Sequence, residues 1–292
     1  MPHHRLAGRR CAVVAAVGAV GISLVACALK VSGLGDPGAI GATDAMEDGP
    51  SMIDGGGDVV AVIDASDAAP WEGGSPCTGD AGPESVQVGS YCIDKTEVTA
   101  AQYAGFLAAV EAGAPLPLPA ACAGKTSFTP GAPLAQGDYP VASVDWCDAF
   151  AFCVWAGKRL CGRIGGGASA WTEVADSGAS QWYRACSFEG LRPYPYGAAY
   201  QARACNGADN GIGTTWSAGV NSCAGGFPGV YDLSGNVWEW EDSCAGAAST
   251  DPCRVRGGGY KDTRDLLRCD YAYPFSRASV DPTLGFRCCS AP

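Results

Sequence analysis

Three stretches of the chain place apolar residues at the spacing of an amphipathic helix. The first follows Thr99, a residue type that caps helices, and its apolar residues recur at intervals of three and four: Tyr103, Phe106, Leu107 and Val110. The second begins after Asp145 and ends before Gly157, with these apolar residues on one face: Trp146, Ala149, Phe150 and Cys153. The pattern predicts a third, shorter helix over 181–186.

The chain changes character between Tyr194 and Gly229, where glycine, proline or asparagine interrupts it every few residues. Such interruptions favour turns and leave no long periodic run. We therefore expect an α+β domain in which loops dominate. Covalent cross-links would stabilise a domain of this kind by restricting its unfolded state.

The amino-terminal segment has the order of a secretory signal. Three arginines within the first ten residues precede an apolar run over 11–26, which is shorter than the ~20 residues that a membrane-spanning helix needs. The end of this run, LVAC, resembles the bacterial lipobox, in which the cysteine is acylated and becomes the first mature residue. We predict a lipoprotein signal peptide over 1–26 and a lipid on Cys27. Ordinary cleavage near Ala26, or an uncleaved anchor, is the alternative.

The segment over 27–76 is rich in Gly, Ala and Asp and contains hardly any aromatic residue. Its nine carboxylates are opposed by one cation, Lys30. Such a segment buries too little apolar surface to offset the entropy of ordering it, and its charges repel one another. We predict a disordered tether here, which leaves residues 77–292 as a single domain.

Net charge and histidine content exclude several classes of function. The chain has a formal net charge of −11, whereas nucleic-acid binding depends on lysines and arginines that neutralise phosphates. Its two histidines, His3 and His4, lie in the predicted signal peptide. A mature chain without histidine has no imidazole base, no Ser/His or Cys/His pair and no imidazole metal ligand.

Fourteen of the 16 cysteines lie in the predicted domain, an even number that is typical of a disulfide framework in an exported protein. A zinc site would need close Cys-x-x-Cys pairs, and the domain has none. A lone reactive thiol is the remaining alternative. Short intervening loops suggest three of the pairs: Cys77–Cys92, Cys205–Cys223 and Cys244–Cys253.

Five segments, in order, resemble the formylglycine-generating enzyme, or sulfatase-modifying factor, family. They are DKTEVTAAQY at 94–103, PVASVDWCDAFAFCVWAGKRL at 140–160, GVYDLSGNVWEW at 229–240, RVRGGGY at 254–260 and GFRC at 285–288. The resemblance implies a loop-rich variant of the C-type-lectin-like fold, stapled by disulfides. It also implies two further pairs, Cys153–Cys288 and Cys186–Cys269, and elimination then leaves Cys122–Cys147 and Cys161–Cys289.

The chemistry of that family depends on two thiols that this chain lacks. The family's enzyme uses oxygen and copper to oxidise a cysteine of an unfolded sulfatase to formylglycine. Two active-site cysteines hold the copper, and both lie between the Arg-Gly-Gly turn and a downstream structural cysteine. Here the interval from Arg256 to Cys269 contains no cysteine between its ends. The two positions hold Asp262 and Leu267 when counted forward from Arg256, or Gly259 and Arg264 when counted back from Cys269. Because Cu(I) selects thiolates, we predict that the copper oxidation is absent.

The other chemistry of the superfamily is iron-dependent sulfur oxidation. It relies on histidine ligands in a segment that this chain lacks. The charged loop over 261–265 offers carboxylates beside cations, and we interpret it as a solvated loop rather than an acid/base centre. We expect Glu239 to face inward and Glu241 and Asp242 to lie on the surface.

The resemblance also implies a structural calcium site in the segment DLSGNVWE at 232–239. Its ligands would be the side chains of Asp232 and Glu239 and the carbonyl oxygens of Gly235 and Val237, because Ca²⁺ prefers hard oxygen donors. The alternative is that Asp232 caps a turn and Glu239 pairs with an arginine. A second calcium site of the family would begin at Asn206.

The tryptophans of the predicted domain divide into two groups. Five fall within the family's motifs and are expected in the core: Trp146, Trp155, Trp182, Trp238 and Trp240. Trp171 and Trp216 lie in loops, so they are the first candidates to contact a glycan or a peptide.

The leading interpretation is an exported lipoprotein of the bacterial cell envelope, with a secreted protein as the alternative. Its catalytically silent domain would bind an extracellular protein or glycan, or serve as a structural module, and would meet the membrane only through the lipid. The rival is an oxidoreductase that modifies exported proteins with Cys288 and Cys289 as metal ligands. A third interpretation is an envelope scaffold without a ligand.

Overall fold

The computed structural model describes Cys77, residues 81–219 and residues 223–292. These residues belong to the compact unit Asp67–Pro292. The predicted signal peptide, the lipid-bearing Cys27 and the acidic segment over 27–76 lie outside the described residues. Within the described ranges, no helix is both long enough and apolar enough to cross a bilayer.

The three predicted helices are confirmed, and each begins at a capping side chain. Thr99 and Gln102 satisfy each other's backbone N–H groups, and Asp145 and Asp148 do the same. The hydroxyl of Ser180 accepts from the N–H of Tyr183 at the third helix. The bounds are α1 Ala100–Glu111, α2 Trp146–Trp155 and α3 Gln181–Ser187.

Short strands and loops make up most of the remaining described chain, which confirms the loop-rich α+β class. The strands are β1 Ser85–Val88, β2 Tyr91–Asp94, β3 Arg159–Leu160, β4 Ala224–Gly225, β5 Phe227–Tyr231, β6 Trp238–Cys244, β7 Pro252–Arg256, β8 Ala272–Ser276, β9 Leu284–Gly285 and β10 Cys288–Ser290. One sheet has the order β1-β2-β10-β3. Another has the order β8-β7-β6-β9, in which β6 and β9 run parallel and the other neighbours antiparallel; β4 and β5 form a hairpin. Single 3₁₀ turns occupy Ala120–Cys122, Ala208–Asn210 and Arg264–Leu267.

An aromatic cluster joins α1 and α2 to the end of the chain. The rings of Tyr103 and Phe152 stack with centroids 5.8 Å apart, and Phe286 packs edge-on against both. Four of the five motif tryptophans are buried, and Trp155 packs half-buried against the cluster. The two loop tryptophans, Trp171 and Trp216, are partly exposed.

Seven disulfides cross-link the domain, and they join the pairs named from the sequence. They are Cys77–Cys92, Cys122–Cys147, Cys153–Cys288, Cys161–Cys289, Cys186–Cys269, Cys205–Cys223 and Cys244–Cys253. Two adjacent bonds tie α2 and β3 to β10, across 135 and 128 residues of sequence. Such frameworks form and persist in oxidising compartments and are rare in the cytosol, and the seven disulfides therefore indicate an extracytoplasmic protein.

Candidate functional site

The segment after β7 carries the positions where the family's two thiols would lie. Gly257 and Gly258 have φ of 85° and 71°, the left-handed region that favours glycine. A Cβ on Gly258 would lie only 2.7 Å from Leu267 Cδ2. A tight turn follows, in which the Asp262 carboxylate accepts from the N–H of Gly259 at 2.8 Å. The chain thus folds back so that Leu267 packs against the glycine turn.

Asp262 and Leu267 meet at Gly207. The carbonyl of Asp262 accepts from the N–H of Ala208 at 2.8 Å. A Cβ on Gly207 would lie 2.5 Å from Leu267 Cδ1 and 3.0 Å from the Asp262 carbonyl oxygen. The side chain of Leu267 is only 2% exposed. At the two positions of the forward count, the backbone carbonyl of Asp262 and the side chain of Leu267 both approach Gly207, whereas the Asp262 carboxylate turns to the N–H of Gly259.

The two positions of the backward count have other roles. Gly259 belongs to the turn itself. Arg264 is exposed, and its guanidinium lies 5.4 Å from the ring centroid of Tyr200. The charged loop over 261–265 faces solvent apart from the half-buried Asp262, as the interpretation of a solvated loop expects.

The sulfurs of the described cysteines are held in disulfides. Cys288 and Cys289, the ligands of the rival interpretation, are fully buried and bonded to Cys153 and Cys161. A disulfide sulfur is not a thiolate, and thiolates are the donors that Cu(I) selects. Neither this pair nor the pair Asp262 and Leu267 fits a copper centre.

Three buried carboxylates share one buried guanidinium beneath the Gly-Asn turn. Arg287 donates to both carboxylate oxygens of Glu239, at 2.7 Å each. The indole N–H of Trp182 donates to Glu239 as well, at 2.7 Å. Glu97 and Asp232 complete the group, which we call the carboxylate cluster: Glu97, Asp232, Glu239 and Arg287. Glu239 thus faces inward and pairs with an arginine.

Glu97 holds the turn that would carry the calcium ligands. Its carboxylate accepts from the side-chain amide of Asn236 at 2.7 Å and from the N–H of Val237 at 3.2 Å. Asp232 and Asn236 both have positive φ, 60° and 65°, a conformation that these residue types adopt more readily than most. The Asp232 carboxylate accepts from the N–H of Gly219 at 2.6 Å. The turn is thus tied to the cluster by the side-chain amide of Asn236 and the N–H of Val237, which both donate to Glu97.

The cluster has more negative than positive charge. Burial, followed by the nearby Asp232 and Glu239, raises the pKa of Glu97 well above its usual value. Burial also raises the pKa of Asp232 to about 6, although Gly219 and Arg287 oppose that rise. Both shifts have the sign expected when charged groups leave water without full compensation. A cation bound here would supply the missing positive charge.

Asn206 lies beside the same turn with an unused oxygen. Its side-chain amide donates to Asn236 at 3.1 Å and to the carbonyl of Thr214 at 2.9 Å. Its buried Oδ1 has no hydrogen-bond partner among the described residues. A buried acceptor without a donor is costly, and coordination of a hard cation would satisfy it. Among the described residues, however, no group of three or more acidic or thiol side chains has the geometry of a metal site, and both Glu239 oxygens already accept from Arg287 or Trp182. The calcium ligands named from the resemblance therefore stay a prediction.

Glu241 is not on the surface, so that expectation is wrong. It is fully buried and accepts from Arg256 at 2.8 Å and from the hydroxyl of Ser180 at 2.9 Å. Alternate residues of a strand face the same side, so Glu241 shares the face of Glu239, and α3 covers that face. Asp242, on the other side of the strand, is half-buried.

Sequence reasoning missed Glu97 and Arg287 as members of the cluster. Both stand in motifs that carry the resemblance, Glu97 within DKTEVT and Arg287 within GFRC. For Arg287 the signal was a charged residue between two apolar ones, Phe286 and Cys288, whereas Glu97 stands among charged and polar residues and gives no such signal. The sequence does not name the partner either, because Glu97 and Asn236 are 139 residues apart in sequence.

Comparison with known proteins gives a consistent result. Residues 46–292 match the family model described as the sulfatase-modifying factor enzyme 1-like domain, and the match begins inside the segment predicted as a tether. The chain is 32% identical over 171 residues to the Bos taurus protein named inactive C-alpha-formylglycine-generating enzyme 2, covering 52% of this chain and 50% of that protein. It is also 32% identical over 142 residues to a Thermomonospora curvata formylglycine-generating enzyme, covering 44% and 40% of the two chains.

The chain spans about half the length, or less, of these curated relatives. Among solved structures, PvdO from Pseudomonas aeruginosa matches with a TM-score of 0.50 and 19% identity, covering 69% of this chain and 80% of that one. At this identity the likeness shows the fold alone, and it is a fold of the kind that the resemblance implies.

Proposed function

This chain belongs to the sulfatase-modifying factor enzyme 1-like family, and from that premise we propose that it is a non-catalytic member acting as an extracytoplasmic binding or structural module. The observation that carries the proposal is the meeting of Asp262 and Leu267 at Gly207. At this point the family's oxidase would place its two thiols. A packed leucine and an aspartate cannot hold Cu(I). The relative named as inactive supports the same conclusion.

The rival function, cysteine oxidation of exported proteins, would need other thiols. Cys288 and Cys289 would first have to be released from their disulfides, which lie in the interior of the domain. Their release would remove both covalent links between α2–β3 and β10. The activity would therefore require the loss of the cross-links that hold its own scaffold.

A cysteine-oxidation assay tests the proposed function. The purified chain, supplied with Cu(I) and oxygen, is incubated with a cysteine-containing sulfatase peptide, and the product is read by mass spectrometry. We expect no formylglycine above the protein-free reaction, while the Thermomonospora curvata enzyme serves as the positive control. Formylglycine at a rate proportional to the concentration of this protein would establish the oxidoreductase instead.

The carboxylate cluster supports a second proposal, that Ca²⁺ binds at the Gly-Asn turn. The ion would be held by the side chains of Asp232 and Glu239 and by the carbonyl oxygens of Gly235 and Val237, with Asn206 offering its unused oxygen to a second ion. Its role would be structural, because it neutralises buried negative charge that one arginine does not balance. Glu239 would then share its carboxylate between the ion and Arg287.

Calcium removal should lower the melting temperature of the wild-type domain. A ligand present at about 100 times its Kd stabilises the folded state by about 2.7 kcal/mol, and chelation at neutral pH removes that contribution. In Asp232→Asn, which keeps the left-handed backbone and an acceptor for Gly219, the calcium-dependent shift should shrink by more than half. Asp262→Asn, outside the cluster, should retain the full shift. Identical wild-type melting curves with chelator and with excess Ca²⁺ would refute the site.

Anchorage and partner stay predictions. Lipid on Cys27 lies outside the described residues, and a labelled-lipid incorporation test that compares the wild type with Cys27→Ser decides it.

For the partner we propose an extracellular protein or glycan. Trp171 is the first candidate contact, since it lines a small cavity of about 140 Å³ with Tyr273 and Pro274. Loss of partner binding in Trp171→Ala is the expected result, and full retention would exclude that surface.

A further inference from the structure

A cavity of about 180 Å³ opens where four loops meet, and none of its lining residues belongs to a helix or to one of the strands β1–β10. Its apolar lining comes mainly from prolines, namely Pro133, Pro140 and Pro282, together with the exposed Leu134. Among the described residues that line the cavity, none is charged. The volume is smaller than the roughly 300–1,000 Å³ of sites for drug-sized ligands, so it suits one small unit of a larger ligand.

Four hydroxyl side chains line the same cavity: Ser143, Thr214, Thr215 and Tyr260. Within the described part of the chain, none of these hydroxyls forms a hydrogen bond. Ser143 is only 5% exposed, but its Oγ is not one of the polar atoms that are sealed from solvent without a partner. The same holds for the half-buried Thr215 and Tyr260, and Thr214 is exposed. The cavity therefore offers unpaired hydroxyls that a ligand can reach.

The backbone of Ser143 has a conformation that few residues other than glycine adopt. Its φ is 60°, in the left-handed region. Two backbone hydrogen bonds hold it there: its N–H donates to the carbonyl of Asp281 at 3.1 Å, and its carbonyl accepts from the N–H of Gly131 at 2.7 Å. Residues held in such conformations cluster at binding sites, where the surrounding structure maintains the strain. Ser143 is thus a stronger candidate for ligand contact than a serine in a relaxed loop.

The Gly-Asn turn positions the segments that carry the other hydroxyls. The carbonyl of Asn236 accepts from the N–H of Tyr260 at 3.0 Å, and its Oδ1 accepts from the N–H of Trp216, which follows the two threonines, at 2.8 Å. The carbonyl of Thr214 accepts from the side-chain amide of Asn206 at 2.9 Å. The backbone beneath these hydroxyls is therefore fixed before a ligand binds, which lowers the entropic cost of binding.

The lining favours a neutral ligand that carries hydroxyl groups of its own. A charged ligand would leave water without a charged partner among the lining residues, which is costly. A peptide that extends a sheet needs a strand edge, and no described strand contributes to the lining. A hydroxyl both donates and accepts hydrogen bonds, so these side chains match the hydroxyls of a sugar. The C–H faces of a sugar ring are apolar enough to pack against prolines.

From these observations we propose that this hydroxyl-lined cavity binds one neutral sugar unit of an extracellular carbohydrate, with Ser143 and Tyr260 as its principal hydrogen-bonding residues. The proposal rests on the proposed function, because it names the ligand class of a binding module. It assigns the ligand to a site other than the surface at Trp171. Asp262 and Leu267 do not line the cavity, so the loss of the family's thiols does not affect it.

Titration of the full chain with D-glucose, D-galactose and N-acetyl-D-glucosamine, followed by NMR, tests the site. We expect saturable binding of at least one sugar with a Kd of about 1 mM, since a few neutral hydrogen bonds support only weak affinity. Ser143→Gly, which suits the left-handed backbone, and Tyr260→Phe should each weaken it about fivefold. Tyr200→Phe is the matched control, because the Tyr200 hydroxyl donates to Asp209 and does not line the cavity. The affinity of that variant should stay within about twofold of the wild type.

Circular dichroism shows whether the two cavity variants remain folded. If either does not, the wild-type amide resonances give the answer, because those of Thr214 and Thr215 should shift saturably with the sugar. A neutral peptide, acetyl-Ala-Pro-Ala-amide, represents the competing ligand class and should not bind saturably. The proposal would be overturned by the lack of saturable sugar binding, by wild-type affinity in both cavity variants, by shifts confined to other residues, or by preference for the peptide.

The same titration separates failure of this site from failure of the proposed function. Sugar binding that Trp171→Ala abolishes and both cavity variants retain would overturn this site, while the binding function would stand. Formylglycine formation in the oxidation assay would refute the proposed function whatever the sugars do.

Discussion

Replacing Arg287 by methionine will lower the free energy of unfolding by about 3–5 kcal/mol, the range measured when one partner of a buried ion pair is removed. Methionine retains most of the side-chain length but no charge. Glu239 then loses two hydrogen bonds, and the carbonyls of Asp94 and Tyr231 lose one each. Three carboxylates are left in the interior without a cation. Denaturant unfolding at pH 7 measures the loss.

A surface pair provides the control for this variant. Arg268 forms a bidentate pair with Asp270, but the two side chains are 38% and 35% exposed. Exposed pairs typically contribute less than about 1 kcal/mol, so Arg268→Met should change stability by no more than that. Equal losses in the two variants would show that the cluster is not under electrostatic stress.

The loss of unfolding free energy caused by Arg287→Met should also depend on pH in a defined direction. The pKa of Glu97 is raised well above its usual value and that of Asp232 is raised to about 6 in the folded protein. Groups with a raised pKa bind protons more readily in the folded than in the unfolded state, so their charges destabilise the fold as pH rises from about 4 to above 6. Arg287 opposes both of these pKa rises, so without it the two carboxyls take up protons at still higher pH. The loss of stability caused by Arg287→Met should therefore be smaller at pH 5 than at pH 7.

Removing both adjacent disulfides, Cys153–Cys288 and Cys161–Cys289, will cost more than the sum of the two single removals. While one bond is present, it closes nearly the same loop as the other, because the paired ends are close in sequence. A single removal therefore releases only a short additional loop, at about 2–3 kcal/mol, whereas losing both frees a loop that the Cys186–Cys269 bond limits to about 50 residues. The excess over additivity should be about 1–1.5 kcal/mol.

A double-mutant cycle with paired Cys→Ala substitutions measures this coupling by denaturant unfolding. The Cys244–Cys253 bond, which spans 9 residues within the β6–β7 hairpin, is the matched control. The loss of unfolding free energy caused by removing this bond should simply add to the loss caused by removing either buried bond. Strict additivity for the adjacent bonds would mean that they do not act on one shared loop.

The helices are predictable from sequence because their determinants are local. Thr99 and Asp145 each satisfy backbone groups within three residues of themselves, so the cap and the apolar spacing suffice. The family's fold is likewise predictable from the motifs at 140–160 and 229–240. Local signals of this kind do not require knowledge of which segments meet in space.

The site is less predictable because its members come from distant parts of the chain. Counting leaves two alignments of the thiol positions open, and it does not reveal that Leu267 and the carbonyl of Asp262 approach Gly207. The burial of Glu241 depends on α3 covering one face of β6, which the sequence of the strand does not reveal.

The proposed function implies a chain that keeps the fold of its family while the catalytic pair changes identity. The glycine turn after β7 and the carboxylate cluster are present here, although Asp262 and Leu267 cannot hold a soft metal. A loop-rich scaffold fixed by seven disulfides remains suited to binding.

The most direct test of a non-catalytic domain is the location of free thiols in the untreated protein. The chain is denatured without reductant, its thiols are alkylated, and peptide mapping assigns each label to a residue. We predict no labelled cysteine anywhere in residues 77–292. Two labelled cysteines in that range, together with stoichiometric Cu(I) binding by the native protein, would contradict the account.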